Sequence, residues 1–242
     1  MLREFAPRVN RWSQKTRDRY RFTGAPYNTA TAEGRQMAFS DFAYPAVLRQ
    51  LGLTLGPSVE LFPAVQAVPL GSALTAALPV GTRLGAAAHT EFSRAVWMVG
   101  PVLADVWSRY GGSVCLIGGA EFAADPPAGL NGWCDFLICR APQQSVIFAP
   151  VLLVFEAKRD SIPDGLGQCI AGMVGAQRFN ARTNQAIDPT YGCVTTGSVW
   201  KFLRLSGTAL TIDANEYALA QADRIVGVLT HIVGPPPAQV AA

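Results

Sequence analysis

The chain has little histidine, an odd number of cysteines and no glycine-rich strand-to-helix loop, and each shortage closes off a class of function. Only His89 and His231 could join the cysteines in a zinc site. Cys134 and Cys139 lie in one apolar segment, where they face opposite sides of a strand, so a structural zinc site is not expected. The five cysteines lie mostly inside apolar segments and read as reduced, buried thiols, not as a disulfide framework. Without a phosphate-cradling glycine loop, use of ATP is not expected. Long hydrophobic runs are also missing. Proline, glycine or charge interrupts each one well short of a membrane span, as in Ile147-Phe148-Ala149-Pro150-Val151, and arginines interrupt the first residues where a signal peptide would need an apolar stretch. The mean hydropathy of +0.20 therefore reflects alanine and core strands. The expectation is a cytoplasmic protein with no membrane partner.

A chain of 242 residues with 50% hydrophobic content can bury a sizeable core in one domain without staples, and it carries no internal repeat. Its net charge of +3 is unevenly placed. Arg3, Arg8, Arg11, Lys15, Arg17, Arg19, Arg21 and Arg35 crowd the first segment, with Trp12, Tyr20 and Phe22 between them. This segment reads either as an arm that tracks phosphates or as an extension with no nucleic-acid role. The organisation read from the sequence is a basic extension over 1–38, an accessory segment packed on the core over 39–88, the core over 89–234 and a tail over 235–242, where Gly234-Pro235-Pro236-Pro237 ends the last helix. Within the accessory segment, Ser40 to Leu51 suggests a capped helix, whereas the Pro- and Ala-rich stretch to Leu84 shows no assignable pattern. The core reads as a helix near 89–109, a strand near 114–122, two apolar strands, a helix over about 160–180, two shorter strands around a Thr-Gly-Ser turn, and a closing helix from Glu216 to Val233. The fold class expected is α/β, a central mixed sheet flanked by helices.

The most informative residues stand where apolar strands end. In Val151-Leu152-Leu153-Val154-Phe155-Glu156-Ala157-Lys158, a run typical of a buried strand closes in two opposite charges. Side chains two apart on a strand share a face, so Glu156 and Lys158 point the same way. Asp135, in Trp133-Cys134-Asp135-Phe136-Leu137-Ile138-Cys139, joins them if the two strands pair. Carboxylates at the mouth of an apolar strand need a partner, and a divalent cation would be one. Asp135 and Glu156 offer the hard oxygen ligands magnesium takes; Lys158 could orient a water and stabilise charge developing on a phosphodiester. Taken alone, an acid-x-lysine tripeptide can equally mark a strand leaving the core. The segment that follows, Asp160 to Asn180, is rich in Gly and Ala, which would let a helix lie close on the sheet, and it places Gln168 near Lys158.

Strand with Asp135, strand with Glu156-Ala157-Lys158, then a helix bearing Gln168, resembles the core of the PD-(D/E)XK nuclease superfamily, which has the restriction-endonuclease-like fold. Gly129 to Phe136, Phe155 to Lys158, Gly165 to Ala171 and Tyr191 to Phe202 further resemble a bacterial branch of it common in cyanobacteria, over about 89–234. The resemblance implies a nuclease that uses Mg2+, with Mn2+ as a substitute, on nucleic acid, DNA ahead of RNA, by attack of an activated water, and a homodimer as in related nucleases. It implies metal ligation by Asp135, Glu156 and the backbone carbonyl of Ala157. Glu91, on the first core helix, is the matching further acid that would join the metal site, with Arg94 one turn on as its ion-pair partner or a phosphate contact; an exposed helical salt bridge accounts for the pair equally well. Gln168 either joins the site or is simply solvated.

Other polar residues have plainer readings. Asp105 looks like ordinary helix surface; Asp164 suits a helix start, and Asp160, earlier in the turn that follows Lys158, lies within reach of a second metal or the substrate. Trp200 and Lys201 either contact nucleic acid or, for the tryptophan, fill the core. Two rival functions stay open: a catalytically silent binding or regulatory module on the nuclease fold, and a metal-dependent phosphohydrolase acting on small nucleotides.

Overall fold

The computed structural model describes residues 37–142 and 146–235; the basic segment before residue 37 and the tail after 235 lie outside the described residues. Eight strands form one sheet: β1 (Thr54–Leu55), β2 (Cys115–Glu121), β3 (Trp133–Cys139), β4 (Val151–Ala157), β5 (Thr190–Thr195), β6 (Val199–Ser206), β7 (Ala209–Ile212) and β8 (Tyr217–Ala218). Their order is β1-β7-β6-β5-β4-β3-β2, with β8 paired to the start of β6. The sheet is mixed. β4 runs parallel to β5 and β1 parallel to β7, and the other pairs are antiparallel. β4 is buried at every position, as its uninterrupted apolar run requires of a strand covered on both faces.

Six α-helical segments flank it: α1 (Ala46–Gln50), α2 (Ser72–Ala87), α3 (Glu91–Arg94), α4 (Gly100–Ser108), α5 (Ile162–Arg182) and α6 (Ala222–Val233). Two apolar clusters form, one on each face of the sheet. Leu153 and Phe155 of β4 and Trp200 and Phe202 of β6 pack with α4 and α6, while Val154, Leu203 and Leu205 pack with α5, Phe39 and Phe42. Among the described residues no helix is long and apolar enough to cross a membrane. All five cysteines are free and buried.

The crossover from β4 to its parallel neighbour β5 is made by α5, whose small residues allow close packing. A Cβ on Gly172 would stand 2.9 Å from Val154 Cγ1. At Gly167 the approach is to backbone: a Cβ there would overlap the Phe42 carbonyl oxygen and lie 2.8 Å from Ala43 Cα. Gly167→Ala is therefore expected to destabilise the protein by about 2–3 kcal/mol, a fall of roughly 4–12 °C in Tm, because backbone cannot rotate away as a side chain can. A thermal melt no lower than the parent's would show that the approach is looser.

Four expectations are corrected. Ser40 to Leu51 is not one helix: a 3-10 turn (Phe39–Asp41) and the short α1 flank Pro45, which has no N–H and disfavours helical backbone at Tyr44. Glu216 to Val233 begins as β8 and a 3-10 turn (Leu219–Gln221) before α6 starts, because Tyr217 is drawn in to the carboxylate of buried Asp213 (3.1 Å) and packs on Phe202. The first core helix is interrupted between α3 and α4 by a π segment (Ala95–Val99). Pro101 offers no N–H to the Trp97 carbonyl, and that oxygen faces α2 where Gly81 leaves room. The unassigned Pro- and Ala-rich stretch contains α2, and four strands instead of two follow α5.

Candidate active site

Antiparallel pairing aligns Phe136 with Phe155, so that one residue farther along each strand come Asp135 and Glu156. Asp135 Oδ2 accepts the Ala157 N–H at 2.7 Å, which locks the carboxylate of β3 onto the backbone between Glu156 and Lys158. Lys158 Nζ donates to Glu156 Oε1 at 2.5 Å; both side chains lie under α5, where a Cβ on Gly165 would stand 3.1 Å from Lys158 Cγ and 3.3 Å from Glu156 Cγ. The absence of a side chain at Gly165 is what lets both stems pass beneath the helix. Lys158 N–H bonds to Thr195 O at 2.7 Å, continuing the parallel ladder to β5. From α5, Gln168 spans the group: its Oε1 accepts from Lys158 Nζ at 3.5 Å and its Nε2 donates to Trp133 O at 3.4 Å.

These groups sit where charge is costly. The Glu156 residue is 3% exposed, and its carboxyl is pushed up to about 8, by burial first and by Asp135 next, against the pull of Lys158. Burial also raises the Asp135 carboxyl, partly offset by the Ala157 N–H. Burial works to lower the Lys158 ammonium, but Glu156, Glu91 and Asp135 outweigh it and the group is held above its ordinary value. Formally, two carboxylates share one ammonium, which leaves the buried centre short of positive charge.

Glu91 opens α3 after Thr90, whose side chain caps the helix by accepting from Ser93 N–H at 3.1 Å. It is exposed and lines a polar cleft of about 460 Å³ with His89, Lys158, Arg159, Asp160 and Asp164. Its charge reaches Asp135, Glu156 and Lys158 across that cleft. The four inner groups thus come together, with Glu91 at the entrance. His89, Thr90 and Arg159 were not singled out from the sequence; for Arg159 the position directly after Lys158 was the available sign.

The structure corrects some sequence readings here and decides between the alternatives left by others. Arg94 donates to Thr196 O at 3.0 Å and, among the described residues, forms no ion pair with Glu91; it ties the first core helix to the turn between β5 and β6. Trp200 is fully buried, with Nε1 donating to Gly197 O at 3.1 Å, so it fills the core and has no face for a base. Lys201 donates to Ala214 O and lies 3.8 Å from Glu216. Asp105 is no surface residue: it is buried, accepts from Gly71 N–H at 2.8 Å and pairs with Arg109 at 2.6 Å, pinning the start of α2. Asp164 lies in the first turn of α5, and Asp160 pairs with Arg159 at 2.5 Å.

Among the described residues no three or more His, Cys, Asp or Glu side chains converge at metal-holding range. Comparison of the chain with protein-family models, curated proteins and solved structures finds no match.

Proposed function

We propose that the chain is a magnesium-dependent nuclease with a restriction-endonuclease-like core, hydrolysing phosphodiester bonds of nucleic acid, DNA ahead of RNA. The observation that carries this reading is the convergence of Asp135, Glu156 and Lys158 from two paired strands, with Gln168 reaching in from the following helix. The element order supports it: β3 with Asp135 and β4 with Glu156-Ala157 are followed by α5 bearing Gln168, the order on which the resemblance to the PD-(D/E)XK superfamily rests.

The donors suit magnesium. That ion keeps several waters and binds through one or two carboxylates plus substrate phosphate, so it does not need three protein side chains. Asp135 and Glu156 with the carbonyl of Ala157 would hold it, the cation taking the place of the proton that Glu156 keeps to about pH 8 without metal. When bound, the ion supplies Lewis-acid polarisation and acidifies water. The chain's own residues do the rest. Lys158 holds a water beside the scissile phosphate and offsets charge that grows on the phosphoryl oxygens in the transition state. Glu156 fixes that ammonium. Gln168 restrains its swing, and Glu91 stands at the cleft entrance as a further acid for the metal site.

Titration calorimetry with magnesium and manganese, beside cleavage assays on single- and double-stranded DNA and RNA, tests the reading; neither metal binding nor cutting would leave the silent binding module as the better account. Gln168→Ala is expected to cost about 10-fold in kcat/KM with an unchanged melting temperature, since the amide orients Lys158 and bears no load in the core. An equal loss in stability would make Gln168 a packing residue.

A further inference from the structure

We propose that the exposed indole of Trp133 is a stacking platform for a base next to the scissile phosphodiester, so that the substrate is nucleic acid with unstacked bases, single-stranded or frayed. This deepens the nuclease reading and rests on it for the position of the cut.

Tryptophan is the side chain with most to gain from burial, yet Trp133 is 61% exposed while Trp200 is fully buried. Its place in the chain gives the exposure a use. It opens β3 two residues before Asp135, about 7 Å along the strand, close to one step of an extended polynucleotide. Its carbonyl accepts from the same Gln168 amide group that accepts from Lys158, so the backbone presenting the indole is coupled to the lysine.

The neighbouring strand carries two successive glycines near this point. Gly118 and Gly119 of β2 are both exposed, and a Cβ on Gly119 would stand 3.7 Å from Trp133 Nε1 and 4.0 Å from Cζ2. Gly119 also has φ of +61°, a conformation that side-chain-bearing residues rarely adopt, so the bare edge is built into the backbone. The indole thus lies beside the bare backbone of Gly119, with Glu121 as its cross-strand neighbour on β2. Phosphate would be met by Lys158 and by Arg159, which is 63% exposed at its side chain, in the polar cleft beside the carboxylates.

A base within a duplex already has both faces covered by its neighbours. It can pair with an indole only after leaving the stack, which single strands allow at little cost. An indole beside a cleft that presents Lys158 and Arg159 is therefore a device for gripping single strands without reading sequence, because every base has a π-face.

The test compares binding of a thymidine oligonucleotide with an abasic strand of equal length, by fluorescence anisotropy in chelator, for the parent, Trp133→Ala and Trp133→Phe. Magnesium- and manganese-dependent cleavage is followed in parallel. The parent is expected to favour the base-bearing strand by about 10-fold, the alanine variant to lose that preference, and the phenylalanine variant to keep most of it. In cleavage, Trp133→Ala is expected to raise KM by a similar factor with kcat within about threefold. A preference that survives in Trp133→Ala overturns the proposal, and if the parent cuts normally it does so without touching the nuclease reading. The expected binding pattern without cleavage by the parent would sink the nuclease reading and keep the platform. Absence of both binding and cleavage overturns both, and loss of a parent dimer in Trp133→Ala with no change in strand preference would make the indole a protein contact.

Discussion

Lys158→Ala is expected to lower metal-dependent cleavage by about 10³-fold, with the loss in kcat and not in KM. The ammonium stands 2.5 Å from Glu156 and titrates above its ordinary value, so at neutral pH, where Glu156 keeps its proton in the metal-free protein, it is a fixed cation at the mouth of β4. Its attraction for a phosphoryl group rises as negative charge accumulates, which is why its removal strikes the transition state harder than the bound substrate. Glu156→Gln and Asp135→Asn are expected to lose as much, through the metal. The variants should separate in calorimetry: Lys158→Ala keeps magnesium binding, whereas the two carboxylate changes weaken it. Lys158→Arg is expected to rescue little, since a planar guanidinium does not fit the space of a compact ammonium beneath α5. A Lys158→Ala enzyme that cuts within tenfold of the parent would remove the lysine from the mechanism.

The metal-free protein is expected to lose stability as pH rises through about 8. Glu156 holds its proton to about 8 in the folded protein, first because it is buried and then because Asp135 lies beside it, whereas in the unfolded chain it releases the proton near 4.5. The folded state therefore binds more protons between those values. The resulting stability is fully present below 4.5, declines as the pH climbs and is gone above about 8. Asp135, raised in the same direction, adds to the slope with the same sign. Between pH 5 and 8.5 in chelator the loss is expected to be on the order of 3 kcal/mol, roughly 6–12 °C in Tm. Magnesium should flatten the slope, because it binds the deprotonated pair and stabilises the fold most where protons have left. Glu156→Gln should flatten it without metal. Thermal melts across this range decide the matter: a parent whose Tm climbs with pH in chelator, or a glutamine variant that keeps the parent's slope, contradicts the account.

Much of the sheet was legible in the sequence because it is written in local pattern. Val151 to Phe155 reads as a strand covered on both faces, and it is. Small residues from Gly165 to Ala176 announce a helix in close contact, and Gly172 meets Val154 as that predicts. The residues that escaped are those whose pattern answers to a distant neighbour. Pro79, Gly81 and Gly85 look like helix breakers, yet they lie within α2, where Gly85 is the room that the Met98 side chain needs and Gly81 the room for the Trp97 carbonyl. β1 and β7 are two and four residues long, too short to show a period. Arg94 and Asp105 carry charge on a helix and look exposed until the segments at Thr196 and Gly71 close over them.

The sequence by itself determined which strand is buried along its length, that Glu156 and Lys158 share a face at its end, and that a small-residue helix follows, because burial and side-chain alternation repeat at fixed short intervals along the chain. Only the tertiary structure decided that Asp135 reaches the Ala157 N–H, that Gln168 links Lys158 to Trp133, that Glu91 stands at the entrance while Arg94 turns away, and that of Trp133 and Trp200 the first is bare and the second buried. Those outcomes depend on strand register and on where the crossover helix lands, which are settled by packing between segments far apart in the chain and leave no local trace.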